Sequence, residues 1–303
     1  MKKRIFIRIL IILLALIIVS VSIFGIRIAV ESNKPQAKIS TYSDVSKKSV
    51  NHDSYMLEIN ETTKNPKENN VKDVVAYSLW KISNCNKFKI STEGKTKASM
   101  LFNVEQKINN ERIINGNNAL ITTTSTGVLT LANQRFVMKD KNLCLYRETK
   151  DVKDLVPQFD ESEPTKISFN DYLEKFGWLP FQSFGYIIND ETYLSDPTLK
   201  DNLDNTYTIS IDLNPNEDYA PFYYRHEILT SSGSTTVPLF KKIHLDLTID
   251  SSYKTLSVDI EEVYTVTKLG FGVDTKTKIR DTYSYDDAIF DPNYYSYFSK
   301  YIK

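Results

Sequence analysis

The chain is poor in the residues from which most catalytic and metal sites are built. Its 303 residues include 2 cysteines, 3 histidines and 9 glycines. Neither cysteine belongs to a Cys-x-x-Cys pair and no His-Glu-x-x-His sequence occurs, so the usual ligand spacings for zinc are missing. Scarce glycine disfavours the glycine-rich loops that hold nucleotide phosphates. We therefore expect a protein that is not an enzyme and that binds no metal or cofactor.

The chain also lacks an excess of either charge. Lys+Arg and Asp+Glu both number 38, so no basic field exists to attract nucleic acid, and we expect no nucleic-acid partner. The residues present in number are aromatic, with 19 Tyr and 15 Phe. Abundant aromatic residues favour long β-strands.

One long apolar run distinguishes the N-terminus. It extends from Ile9 to Ile26 between Arg8 and Arg27, which is just long enough to cross a bilayer. No small-x-small cleavage sequence follows, so the pattern favours an uncleaved signal anchor over residues 1–30, with a cleaved signal peptide as the alternative. Because the preceding residues are basic, the N-terminus is predicted to be cytoplasmic and the rest extracytoplasmic. The predicted location is the cell membrane, crossed once.

A polar stalk and one folded domain are predicted after the anchor. Residues 31–70 are polar and lack apolar periodicity, whereas 71–303 carry the patterns of a folded domain. The sequence VKDVVAYSLWKI, which begins at Val71, has the spacing of an amphipathic helix. From Phe88 the apolar period is two, and Asn115-Gly116 is a hairpin signal. Without helices between these strands, the sheet is predicted to be antiparallel.

The second half of the domain repeats the strand pattern after a second helix, expected near Ala220. In KKIHLDLTID, which ends at Asp250, apolar residues alternate strictly with polar ones. The next strand carries three carboxylates. Asp259 and Glu261 are expected on its solvent side, and Glu262 is expected to be turned outward by a bulge, because an inward carboxylate would need a partner.

The two cysteines leave two alternatives open. Cys85 follows the first predicted helix and Cys144 lies in a predicted strand. They could pair in an oxidising compartment. A disulfide that closes the loop from Cys85 to Cys144 would stabilise the fold by a few kcal/mol. Otherwise they are unpaired thiols.

The order of elements between Val71 and Tyr285 can be compared with a known family. A helix, a meander that opens with FKISTEGKTKAS, a helical interlude and long strands such as YTISIDLNP follow one another. This order resembles the bacterial lipoprotein-carrier fold of LolA- and LppX-like proteins, as a membrane-anchored Gram-positive relative. The resemblance implies an α+β fold, in which helices pack on the concave face of a long curved antiparallel sheet, a half-barrel. The transmembrane helix is added at the N-terminus.

The resemblance further implies an apolar hollow that holds acyl chains. The first functional hypothesis is therefore a membrane-anchored extracytoplasmic protein that binds a lipid or another amphiphile. Its expected lining residues are Tyr207, Ile209, Ile211, Ile243, Leu245, Leu247, Leu256, Val258 and Ile260. The alternative is a structural or interaction module of the cell envelope, with a filled core and a protein partner. An envelope hydrolase is least favoured, because no nucleophile, base or metal motif is present.

Overall fold

The computed structural model describes Val30, Lys34 and residues 65–99, 103–116, 118–126, 130–139, 142–151, 165–168, 171–172, 183–216, 220–232, 234–268 and 270–286. The predicted signal anchor lies outside these residues except for Val30, and so does most of the predicted stalk. The end of the predicted stalk contacts the domain: Lys67 forms an ion pair with Asp201, and Asn69 Nδ2 donates to the Tyr253 hydroxyl at 2.7 Å.

The described residues form one open antiparallel sheet of eleven strands. Strand bounds are β1 (Lys87–Ser99), β2 (Asn103–Asn115), β3 (Asn118–Thr126), β4 (Thr130–Lys139), β5 (Asn142–Asp151), β6 (Thr165–Ile167), β7 (Thr198–Asp201), β8 (Thr206–Leu213), β9 (Leu239–Asp250), β10 (Thr255–Lys268) and β11 (Phe271–Ser284). Their order is β6-β5-β4-β3-β2-β1-β11-β10-β9-β8-β7. Two meanders therefore join at the centre, where β1 pairs with β11. The antiparallel prediction is confirmed; the curvature of a half-barrel stays a prediction.

Within the described residues, two α-helices accompany the sheet, α1 (Val71–Ser83) and α2 (Phe222–Ser232), and both contact β10. Helix α1 begins at the cap residue Asn70, whose side chain accepts from the Lys72 amide. Such a cap replaces one of the hydrogen bonds that the first turn lacks. Val74 and Val75 are fully buried, as the apolar spacing predicts. The predicted positions of both helices are confirmed.

The two faces of the sheet differ in chemistry. We call the face that carries the main apolar core the inner face and the opposite one the outer face. Ile243, Leu245, Leu247 and Ile249 of β9 all point to the inner face and are at most 1% exposed. The outer face carries ion pairs, such as Arg280 with Asp259 at 2.7 Å, and Glu261 with Lys278 at 2.9 Å and Lys242 at 3.2 Å. Both carboxylates lie on the solvent side, as predicted.

The disulfide alternative is not realised. Cys85 is a free cysteine, and its Sγ donates to the Lys87 carbonyl oxygen at 3.3 Å. Cys144 lies in β5, four strand positions from β1 in the sheet order. At about 4.8 Å per strand spacing this is about 19 Å along the sheet, whereas bridged Cα atoms lie within about 7 Å of each other.

Candidate functional site

The predicted lining residues lie mostly in the packed core. Tyr207, Ile209, Ile211, Ile243, Leu245, Leu247, Val258 and Ile260 are all between 0% and 8% exposed. They form one cluster with the buried side chains of α1. These residues therefore pack against the chain itself, and a ligand could reach them only if the helices moved.

Leu256 is the exception, and its predicted place on the same face is wrong. It is only partly buried and lies outside the core cluster. The pairing of β10 with β9 shifts register between Thr255 and Ser257, so Leu256 is the extra residue of an irregularity. Such a bulge breaks the alternation that placed Leu256 with Val258.

Glu262 corrects a second expectation, because it points inward. Its side chain is 2% exposed, and Oε1 accepts a hydrogen bond from the Tyr186 hydroxyl. A bulge is present, but it lies one residue later, between Val263 and Tyr264. Burial, together with the negative charge of Glu262, holds the pKa of Tyr186 well above its usual value. The pair is thus a donor and an acceptor that satisfy each other inside the core.

Helix α2 covers this pair with aromatic and cationic side chains. The Tyr224 ring lies 4.7 Å from that of Tyr186, and the Arg225 guanidinium lies 5.7 Å from the Phe240 ring centre. Arg225 itself is buried, at 4% exposed. A Cβ atom at Gly185 would meet the Tyr224 ring at 2.1 Å, so this close packing requires glycine.

The inner face of β1–β3 is less completely covered than that of β8–β10. Strand β1 has 13 residues and spans about 43 Å, whereas α1, also of 13 residues, is about 20 Å long. Inner-face residues are half-buried or partly exposed from Thr92 to Ala98, from Val104 to Asn110, and at Thr123 and Ser125. We call this region the half-buried stretch. It combines apolar residues, Ala98, Val104 and Ile108, with polar ones.

A polar row crosses one end of the half-buried stretch. Asp281 of β11 lies directly opposite Thr92 of β1, which lies opposite Asn110 of β2. Thr92 Oγ1 donates to Asp281 Oδ1 at 2.6 Å, and among the described residues this is the one hydrogen bond of the carboxyl. Within the same residues, the buried Oδ1 of Asn110 has no hydrogen-bond partner. We call Asp281, Thr92 and Asn110 the polar row.

Asp281 is a buried carboxyl, and among the described residues the cation Arg112 influences its pKa. It is 7% exposed, and burial raises the pKa of its carboxyl to about 6. The Thr92 hydrogen bond and the positive charge of Arg112, next to Asn110 on the same face, act in the opposite direction. The polar row and Arg112 together carry no net charge when the carboxyl is ionised.

Sequence patterns missed this row although they contain a signal for it. The alternation of β11 places Thr277, Asp281 and Tyr283 on one face, and all three are buried. Tyr283 donates through its hydroxyl to the Ser183 carbonyl oxygen at 3.0 Å. A carboxylate that shares a strand face with buried residues therefore indicates a buried polar site. Its partners can be identified only when the neighbouring strands are known.

The outer face carries a shallow polar groove near His244. Its Nδ1 lies 2.7 Å from Asp212 Oδ1, and its Nε2 lies 3.5 Å from Asp246 Oδ1. The same groove is lined by Asp259 and Arg280, which pair with each other. These side chains are engaged with one another, as is typical of a solvated strand surface.

Metal sites and membrane spans are two further features to consider in the described part of the chain. No three His, Cys, Asp or Glu side chains converge there so as to hold a metal ion. No described helix has the length and hydropathy that a bilayer span requires, and the predicted span lies outside the described residues.

Neither a protein-family model nor a curated protein sequence matches the chain. Among solved structures, it is similar to a domain from Vibrio parahaemolyticus described as an outer membrane lipoprotein-sorting protein. That likeness has 10% identity and a TM-score of 0.24, and covers 73% of this chain and 96% of the other. An outer membrane protein from Bacteroides fragilis gives 9% identity and a TM-score of 0.09, over 66% of this chain and 98% of the other. With these scores, neither likeness establishes a shared function.

Proposed function

We propose that the chain is a membrane-anchored, extracytoplasmic binding protein without enzymatic activity, which holds a lipid or another amphiphile on the inner face of its sheet. The observation that carries this proposal is the half-buried stretch of β1–β3. Apolar and polar side chains alternate by row there, next to a closed apolar core. An amphiphile matches such a surface, because each buried CH₂ group contributes about 0.8 kcal/mol and the head group needs polar partners.

The binding region in this proposal differs from the one expected from the family resemblance. It lies on β1–β3, since the expected lining residues of β8–β10 are closed off by packing. The apolar run from Ile9 to Ile26 supplies the proposed membrane anchor. A surface tethered in this way would meet lipids that leave the bilayer.

A second candidate function is supported by the packing itself. Residues such as Leu245 and Ile209 are fully buried, as in a structural module that binds nothing small. In that case, the charged outer face would contact a protein of the cell envelope. The two candidates differ in whether any amphiphile is retained.

Native mass spectrometry of the full-length chain, released from detergent in the gas phase, distinguishes them. The proposal predicts one retained amphiphile per chain, which extraction and lipid analysis would identify. A bare protein mass, both as purified and after incubation with total bacterial lipid extract, would contradict it and favour the interaction module.

A further inference from the structure

The polar row contains acceptor atoms that the described structure leaves unused. Asp281 Oδ1 accepts from Thr92, whereas Oδ2 accepts no hydrogen bond among the described residues. Asn110 Oδ1 is buried and also lacks a partner within them. A buried acceptor without a partner is destabilising, so this arrangement favours a ligand or water that donates hydrogen bonds.

The position of the row suits the head of an amphiphile. Directly opposite residues on neighbouring antiparallel strands have Cβ atoms about 5 Å apart, so Asp281 and Asn110 are separated by about 10 Å. One side of the row borders the apolar core at Ile90 and Ile121. The other side borders the half-buried stretch, which contains Ile108.

The charge of the row restricts the type of head. The carboxylate of the row and the cation Arg112 balance each other. Of the other described side chains on this part of the inner face, Thr96, Gln106, Asn110, Thr123 and Thr277 are neutral, and the carboxylate of Glu262, opposite Thr277, accepts from the Tyr186 hydroxyl. Thr96 and Thr277 hydroxyl oxygens lie 3.0 Å apart, and Gln106 donates to Ser125, so amides and hydroxyls already pair there. A phosphate or carboxylate head would meet the Asp281 charge in a poorly hydrated place.

From the unused acceptors and this balance of charge, we infer that the polar row binds an uncharged head group with several hydroxyls, such as a glycerol or sugar head. The hydroxyls donate to Asp281 Oδ2 and Asn110 Oδ1, and the acyl chain lies along Ile108 and Val104. This inference rests on the proposed function and adds the class of head group to it.

Competition among lipids that have the same acyl chain but different head groups tests the inference. The full-length chain is placed in nanodiscs of fixed composition, and the fluorescent fatty acid cis-parinarate is bound first, with empty nanodiscs subtracted. It is then displaced by 1-monooleoylglycerol, by oleate or by oleoyl lysophosphatidate. We expect the glycerol head to compete best, by about three- to tenfold for each acceptor that it uses.

Two variants link the preference to the row. Asp281→Asn and Asn110→Ala each remove one acceptor, and each should lower the preference for the glycerol head over oleate about three- to tenfold. Asn109→Ala, the exposed neighbour on the outer face, is the matched control and should leave the preference intact. If Asp281→Asn does not fold, Asn110→Ala still tests the row.

The outcomes separate the head-group site from the function. Uptake of parinarate with equal competition by all three heads, or a preference that both variants retain, would overturn the head-group site and leave the function standing. No uptake beyond that of empty nanodiscs would mean that the chain's own residues fill this face. Function and site would then fall together.

Discussion

Asp281 is the residue at which ionisation and folding are most clearly coupled. Its pKa is raised from 3.8 to about 6 because burial disfavours the charged carboxylate. The folded protein therefore binds a proton more tightly than the unfolded chain does. Stability from this group is present below about pH 4 and is lost as pH rises through about 6, which amounts to about 3 kcal/mol.

Asp281→Asn should abolish the loss of folding stability that accompanies ionisation of Asp281. We expect the variant to be more stable than the wild type at pH 7, by up to about 3 kcal/mol, and no more stable at pH 4. Urea unfolding at both pH values measures the difference. Asp259→Asn, at the exposed pair with Arg280, is the control and should change stability by less than about 1 kcal/mol. An equal effect of Asp281→Asn at both pH values would contradict the coupling.

The cysteines give a second prediction for single residues. Because Cys85 is free, both thiols should be alkylated when the unfolded protein is treated without reductant. Intact-mass analysis would detect two adducts per chain. A mass without adducts that gains two after reduction would reveal the bridge to Cys144 and refute the arrangement of β1 and β5.

Strand β9 allows a comparison of two leucines in one element. Leu245 is 0% exposed on the inner face, whereas Leu239 at the start of the strand is 61% exposed. Leu245→Ala should lower the free energy of unfolding by about 2–5 kcal/mol, since it leaves a cavity. Leu239→Ala should change it by less than about 0.5 kcal/mol. Similar effects from both substitutions would mean that the strand is assigned to the wrong face.

The pairing of β1 with β11 depends on a glycine. A Cβ at Gly94 would lie 2.2 Å from the Lys278 carbonyl oxygen and 2.6 Å from the Ile279 Cα atom, and backbone atoms cannot move aside cheaply. Gly94→Ala should therefore destabilise the protein by about 1–3 kcal/mol, as overpacking does. At Gly272 of β11 the nearest atom lies at 3.5 Å, an ordinary contact. Thermal unfolding should show little change for Gly272→Ala; a larger loss there than at Gly94 would contradict this register.

At the scale of the whole molecule, the sequence predicts the parts of the fold that follow a regular period. The alternation of KKIHLDLTID became β9, and Asn115-Gly116 became the β2–β3 turn, with Gly116 at φ 59°. The position of a one-residue bulge does not follow from the periodic pattern of the sequence. For this reason the predicted sheet faces of Leu256 and Glu262 are wrong. The apolar pattern also does not predict which strands pair. The polar row forms because β11 pairs with β1.

The same limit explains the displaced candidate site. Apolar alternation identifies residues that point inward, but it does not reveal which of them the helices cover. Ile211 and Ile243 are closed off, whereas Ile108 on β2 is half-buried. The difference arises because both helices contact β10, so they cover the β8–β10 side of the sheet more fully than β1–β3.

The central claim is that the inner face of β1–β3 binds an amphiphile, and uptake of cis-parinarate by the full-length chain in nanodiscs tests it most directly. Ile108→Arg places a charge on the half-buried stretch, and Asn109→Arg places the same charge on the outer face one residue away. We predict saturable uptake of about one molecule per chain by the wild type and by Asn109→Arg, and a loss of at least about tenfold in affinity for Ile108→Arg. Equal uptake by both variants, or none by the wild type, would contradict the claim.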